Sequence, residues 1–318
     1  MEKRRIGAFW LQRTQGRKRQ TRVCPGDRGY RTRMAESPSF GGRCILVTGA
    51  SRGIGREAAC LLAGLGAAVV GVARDRDGLD ECVAALAGSG HRALAIDVSD
   101  EDAWRADPAL EVLHAVDGVV TAAALLPPVG PIGTYRPRDF WQTMRVNVLG
   151  TLLAVNACLD SLQSARGAVV TFAGGGATSP QPRYDAYATS KAAVVRLTEN
   201  LALDLGDSGV RVNAVSPGFI ATDIHAATLA AGPRLAGEEY FAETKRQLDT
   251  GAAPIRRAAE LTAFLLHDEA AGITGRVISA QWDPWRERAF QQRLRQEPDL
   301  ATLRRIDDQF FACVPRTS

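Results

Sequence analysis

Seven short runs of β-branched and apolar residues recur along this chain with helix-forming segments between them, and that alternation most constrains what it can become. The runs are Cys44–Thr48, Ala68–Val72, Arg92–Ile96, Gly118–Thr121, Ala168–Phe172, Arg211–Val215 and Gly275–Ala280. Segments of helical composition lie at Gly53–Leu65, Asp77–Ala87, Pro137–Leu162, Tyr184–Leu205 and Pro254–His267. Apolar strands alternating with helices make βαβ units, and their parallel sheet must be covered on both faces. The pattern predicts one α/β, doubly wound domain with a seven-stranded parallel sheet, spanning residues 41–283.

With 318 residues, 46% of them hydrophobic, the chain can bury a proper core. Six cysteines stand singly with no Cys-x-x-Cys pair, and there are only four histidines. Neither a metal site nor a disulfide framework is expected, and a reducing, cytoplasmic setting fits. The uncharged run Ala58 to Ala73 is 16 residues and holds three glycines, short for a membrane span, and none is expected. Residues 1–33 carry 11 Lys and Arg against Glu2 and Asp27, a local +9; since the whole chain is +4, the rest is −5. Residues 1–40 therefore read as a basic arm that does not fold alone. The arm is open to three explanations: a nucleic-acid or anionic-surface tail, a transit segment, or sequence upstream of a true start at Met34. Nucleic acid is not the expected partner. Residues 284–318 read as a charged, helical extension that Leu294, Leu300, Leu303 and Ile306 could dock.

After the first strand comes Thr48-Gly49-Ala50-Ser51-Arg52-Gly53-Ile54-Gly55, opening a helix. Glycines let backbone approach a pyrophosphate, and a helix N-terminus offers unpaired N–H groups and the positive end of its dipole. This turn resembles the Thr-Gly-x-x-x-Gly-x-Gly motif of the short-chain dehydrogenase/reductase family, and the resemblance runs from Arg43 to Asp283. It implies a Rossmann-type sheet, a nicotinamide cofactor held by Thr48, Gly49, Ser51, Arg52, Gly53, Ile54 and Gly55, and hydride transfer to a carbonyl or from an alcohol. Where an NAD enzyme needs a carboxylate, at the end of the second strand, this chain has Ala73 followed by Arg74. Arg52 and Arg74 match the family's basic positions for a 2′-phosphate, so NADP(H) is expected rather than NAD(H), unless both are merely solvated. Asp97 and Val98 match the adenine-contacting pair, the alternative being that Asp97 only caps the segment that follows. Pro217, Gly218 and Thr222 resemble the turn beside the nicotinamide, or form only a tight turn.

Tyr187 and Lys191 are four residues apart on a helical segment and share a face. Chemistry at neutral pH requires a phenol stabilised by roughly 4 kcal/mol as phenolate, which a neighbouring ammonium helps to provide. Tyr187 is thus the expected general acid or base, with Lys191 beside it. The resemblance adds Asn147, holding a water relay to the lysine. It also shows a departure: thirteen residues before the tyrosine, where the family carries a catalytic Ser, stands Gly174. The backbone of Gly174–Gly176, the hydroxyls of Thr178 or Ser179, or an ordered water are the conceivable replacements. Thr121-Ala122-Ala123-Ala124 replaces the family's Asn-Asn-Ala-Gly and is expected to alter packing. Trp282 and Trp285 could stack on a ring-bearing or sugar-like substrate, or else fill a subunit interface or pin the tail. The expected protein is an NADP-dependent oxidoreductase acting on a small carbonyl or alcohol as a homodimer or homotetramer. The competing class is a cofactor-binding relative with weak or no catalysis.

Overall fold

The computed structural model describes residues 39–105 and 108–305; the basic arm to residue 38 and the tail from Ile306 lie outside them. Seven parallel strands run in the spatial order β3-β2-β1-β4-β5-β6-β7. They are β1 Cys44–Thr48, β2 Ala68–Ala73, β3 Arg92–Ala95, β4 Gly118–Thr121, β5 Ala168–Phe172, β6 Arg211–Ser216 and β7 Val277–Ser279. The order reverses between β1 and β4, so connections leave in opposite directions there and open a crevice at the strands' carboxyl ends. Every residue of β4 and β5 is buried, as a sheet covered on both faces requires. Each fully buried Leu or Ile, such as Leu46 or Ile45, adds about 1.5–3 kcal/mol over exposure.

The described residues form ten α-helices: α1 Gly53–Gly64, α2 Arg76–Ala84, α3 Pro137–Met144, α4 Gly150–Ala157, α5 Leu159–Ala165, α6 Asp185–Asp204, α7 Ala226–Ala236, α8 Glu238–Thr250, α9 Ile255–Leu266 and α10 Arg288–Gln296. The single helix expected over Pro137–Leu162 is interrupted twice. Arg145–Leu149 forms a π-helical turn, and Cys158 leaves helical geometry at φ −111° and ψ 12°. The last strand is shorter than expected because the backbone N–H of Arg276 donates to the Asn213 side chain at 3.1 Å instead of the ladder. The guanidinium of Arg211 donates to the carbonyls of Leu265, Leu266 and His267 at 2.6, 3.2 and 3.1 Å. A cation at the negative end of α9 thereby ties that helix to the start of β6.

Chain on either side of residues 41–283 packs on the body. Phe40, placed in the arm, is fully buried with its ring 5.6 Å from that of His267. In the extension Leu294 is buried, the Val277 N–H donates to the Ala301 carbonyl at 2.7 Å, and the Leu303 N–H donates to Glu199 at 2.7 Å. Ile306 lies outside the described residues. Cys44, Cys82 and Cys158 are free thiols, whereas Cys60 is disulfide-bonded, a departure from the expected absence of disulfides. No single described helix is long and apolar enough to cross a membrane.

Candidate active site

The turn after β1 is built by close backbone approach. Gly49 sits at φ +70°, and a Cβ there would lie 2.8 Å from the Ala123 nitrogen. A Cβ on Gly55 would drive into the Gly49 carbonyl and stand 3.1 Å from that of Thr48. The Thr48 hydroxyl accepts the Ala123 N–H at 3.2 Å, pinning β1 to the loop after β4. Helix α1 then begins with no side-chain cap and no acid in its first turn. Its N–H groups and positive dipole end therefore face the crevice with no anion of the chain's own in place.

A cavity of about 1190 Å³ extends from this turn. Gly49, Ser51, Arg52, Gly53, Ile54, Arg74, Asp97, Val98, Tyr187, Lys191, Pro217, Gly218 and Thr222 all line it. Thr48 and Gly55 do not; they shape the turn from behind. At one end Arg74 lies 3.6 Å from Asp97, and Arg52 lies 3.8 Å from Asp223, both pairs substantially exposed. Burial pushes the Asp97 carboxyl upward, but hydrogen bonds from the Ser99 N–H and hydroxyl (2.9 and 2.8 Å) and the nearby Arg74 outweigh it and hold the group below its ordinary value. Asp97 therefore does cap the segment after it while still lining the cavity. Asp75 caps α2 by accepting the Gly78 N–H. Pro217 accepts from Gln281 at 3.1 Å, and the Thr222 methyl would lie 3.5 Å from a Cβ on Gly53, so the loop after β6 folds over the glycine turn.

At the other end, Tyr187 and Lys191 occupy one face of α6, the lysine nitrogen 5.8 Å from the phenol ring centre. Lys191 is buried and donates to the Phe172 carbonyl at 2.9 Å. Burial lowers its ammonium to about 8. Tyr187 differs from expectation: burial, and secondarily the Tyr240 phenol, push its hydroxyl above the ordinary value. In the protein alone, loss of water around the phenol disfavours its charged form. Asn147 is not on the cavity. It sits in the π-turn, one layer behind, and its amide accepts the Leu125 N–H at 2.7 Å while donating to the Leu125 carbonyl at 2.9 Å and Ser190 at 2.8 Å. The side chain is spent on stapling the loop after β4 to α6.

Gly174 has the extended backbone any residue adopts, but the space beside it is taken. A Cβ there would lie 2.9 Å from the Tyr187 hydroxyl and 3.3 Å from Lys191 Cγ. Thr178 and Ser179, expected as substitute donors, are exposed and absent from the cavity lining. Thr178 faces a separate cavity of about 250 Å³ behind the glycine loop. The tryptophans divide the roles imagined for them: Trp285 is buried against Phe264, whereas Trp282 is 84% exposed at the cavity rim. Sequence reasoning missed Gln181, His225 and Tyr240, which also line the cavity. His225 stacks on Phe219 at 4.0 Å, and Gln181 donates to the Tyr240 oxygen at 3.0 Å. No spacing rule joins residues 59 positions apart, and only the contact reveals them.

Residues 49–281 match the family model described as enoyl-(acyl carrier protein) reductase. The short chain dehydrogenase/reductase astE of Aspergillus oryzae is 32% identical over 249 residues, covering 76% of this chain and 94% of that protein. Cis-4-hydroxycyclohexanecarboxylate dehydrogenase of Sinomonas cyclohexanicum is 32% identical over 246 residues, with 76% and 96% covered. Among solved structures, an NAD⁺-bound xylitol dehydrogenase superposes with a TM-score of 0.66 at 26% identity, covering 76% of this chain and 98% of that one. An NAD(P)-dependent gluconate 5-dehydrogenase from Beutenbergia cavernae, with bound NADP, superposes with a TM-score of 0.65 at 28% identity and 76% and 96% coverage.

Proposed function

This chain belongs to the short-chain dehydrogenase/reductase family and is an oxidoreductase of its carbonyl–alcohol type, and from that premise we propose that it uses NADP(H) to interconvert a ring ketone and its secondary alcohol. The observation that carries this is the shared cavity, with the open N-terminus of α1 at one end and the Tyr187–Lys191 pair at the other. The turn fits a dinucleotide: any side chain at Gly55 would collide with the Gly49 backbone that must face the pyrophosphate. The bound cofactor supplies the hydride. Arg74 and Arg52 would take the 2′-phosphate by exchanging weak, exposed pairings for charge-assisted hydrogen bonds. Ala73 offers no ribose carboxylate, and the Asp75 carboxylate is engaged on α2.

Tyr187 gives its proton to the substrate oxygen during reduction and takes it back during oxidation. Lys191, fixed by the Phe172 carbonyl, remains mostly protonated at neutral pH and favours the phenolate as it forms. Asn147 is a positioning residue, holding the Leu125 loop against Ser190. Gly174 stands where the family resemblance implies a Ser, leaving the substrate oxygen one hydroxyl short. A ring substrate is supported by the name of the cyclohexane-carboxylate relative and by the volume of the cavity, about 1190 Å³. Exposed Trp141, Leu152 and Leu203, on α3, α4 and α6, offer apolar surface for a second copy. The raised Tyr187 phenol favours a second reading, a binding protein with little catalysis. Following NADPH absorbance with cyclohexanone and substituted cyclohexanones separates the two. Turnover lost in Tyr187→Phe supports the enzyme; tight NADPH binding with no turnover by the unaltered protein supports the other.

A further inference from the structure

Resting on that functional reading, we infer that Tyr240, aimed by Gln181, is the second hydrogen-bond donor to the substrate oxygen. The need arises at Gly174. No side-chain hydroxyl nearby replaces the missing one: the Tyr187 hydroxyl lies 2.9 Å from where a Cβ would stand, and Thr178 and Ser179 lie off the cavity. Tyr240 projects from α8 into the same apolar cluster as Tyr187, with Leu126 and Tyr184. Its ring is held 4.7 Å from that of Tyr184, and it lines the cavity. Gln181 donates to its oxygen at 3.0 Å, so the phenol is an acceptor toward Gln181 and keeps its own proton. Among the described residues no hydrogen bond uses that proton, nor that of Tyr187. Two phenol O–H groups are therefore left to converge on one substrate atom.

Gln181 can take this position because residue 176 is glycine: a Cβ there would lie 2.7 Å from the Gln181 side-chain oxygen. In reduction the carbonyl carbon accepts hydride, the C=O π pair moves onto oxygen, and the Tyr187 O–H bond breaks to protonate it. Tyr240 keeps its proton throughout and stabilises the developing negative charge, as an oxyanion donor does. Because α8 carries it, the donor set is completed by a different segment from the one bearing Tyr187.

The test uses Tyr240→Phe, which keeps the ring on Tyr184, and Gln181→Leu, which leaves the phenol without its guide. In the full protein, kcat for cyclohexanone should fall about 100-fold in Tyr240→Phe, with the NADPH dissociation constant unchanged. A second readout is independent of turnover. In the complex with NADP⁺ and carbonyl-labelled cyclohexanone, the carbonyl infrared band should move to higher frequency in Tyr240→Phe, reporting one lost hydrogen bond. Gln181→Leu should move it in the same direction by less. A Tyr240→Phe protein with kcat within about threefold of the parent and an unmoved band overturns the inference while leaving the general reaction intact. A Tyr187→Phe protein as active as the parent sinks the functional reading instead.

Discussion

Lys191→Met should make the protein more stable while removing its activity, and the size of the gain follows from where the lysine sits. Lys191 is 5% exposed, and burial lowers its ammonium from 10.5 to about 8. Holding it charged at pH 7 thus costs about 3 kcal/mol relative to water. Met has similar length and no charge, so the substitution removes that cost but leaves the Phe172 carbonyl without the donor now at 2.9 Å, a loss of about 1–2 kcal/mol. The expected net gain is about 1–2 kcal/mol at pH 7, read from guanidinium denaturation of the cofactor-free protein. The pH dependence gives a second handle. Because the folded value is depressed, the unfolded chain binds more protons between pH 8 and 10.5, and parent stability rises with pH across that window. Relative to Lys191→Met, the parent should recover about 1 kcal/mol between pH 7 and 9. A variant less stable than the parent at pH 7, with no convergence toward pH 9, would mean that the ammonium is well compensated and the burial argument fails.

Arg74→Ala should weaken NADPH binding about tenfold through loss of charge-assisted hydrogen bonds and leave NADH binding nearly unchanged; equal weakening of both by calorimetry would remove the 2′-phosphate assignment. Gly55→Ala should cost about 1–3 kcal/mol by overpacking against the Gly49 carbonyl and abolish dinucleotide binding, measured by denaturation and cofactor titration. Tyr187→Phe should lower kcat by about 10²–10⁴. Gly174→Ser should change it less, since its Cβ, 2.9 Å from the phenol oxygen, shifts the acid without removing it; a larger loss from the serine than from the phenylalanine contradicts the assignment.

The sheet was legible because burial on both faces leaves continuous apolar runs, and strands such as β4 and β5 have little freedom to be anything else. The glycine turn was legible for a related reason: only a missing Cβ permits the approach of Gly55 to Gly49. Composition could not mark the break at Arg145–Leu149. An apolar helix and one with a π-turn look alike until Asn147 is seen holding the Leu125 loop. Helical spacing placed Lys191 beside Tyr187, yet proton affinity depends on what else covers the phenol, and much of that cover comes from α8. The Gly174 gap shows the same division. In the sequence it is an absent hydroxyl; in three dimensions the space is occupied by the Tyr187 phenol itself. A compensating side-chain hydroxyl must then approach from across the cavity rather than from the same loop, and Tyr240 lies in the apolar cluster that holds Tyr187.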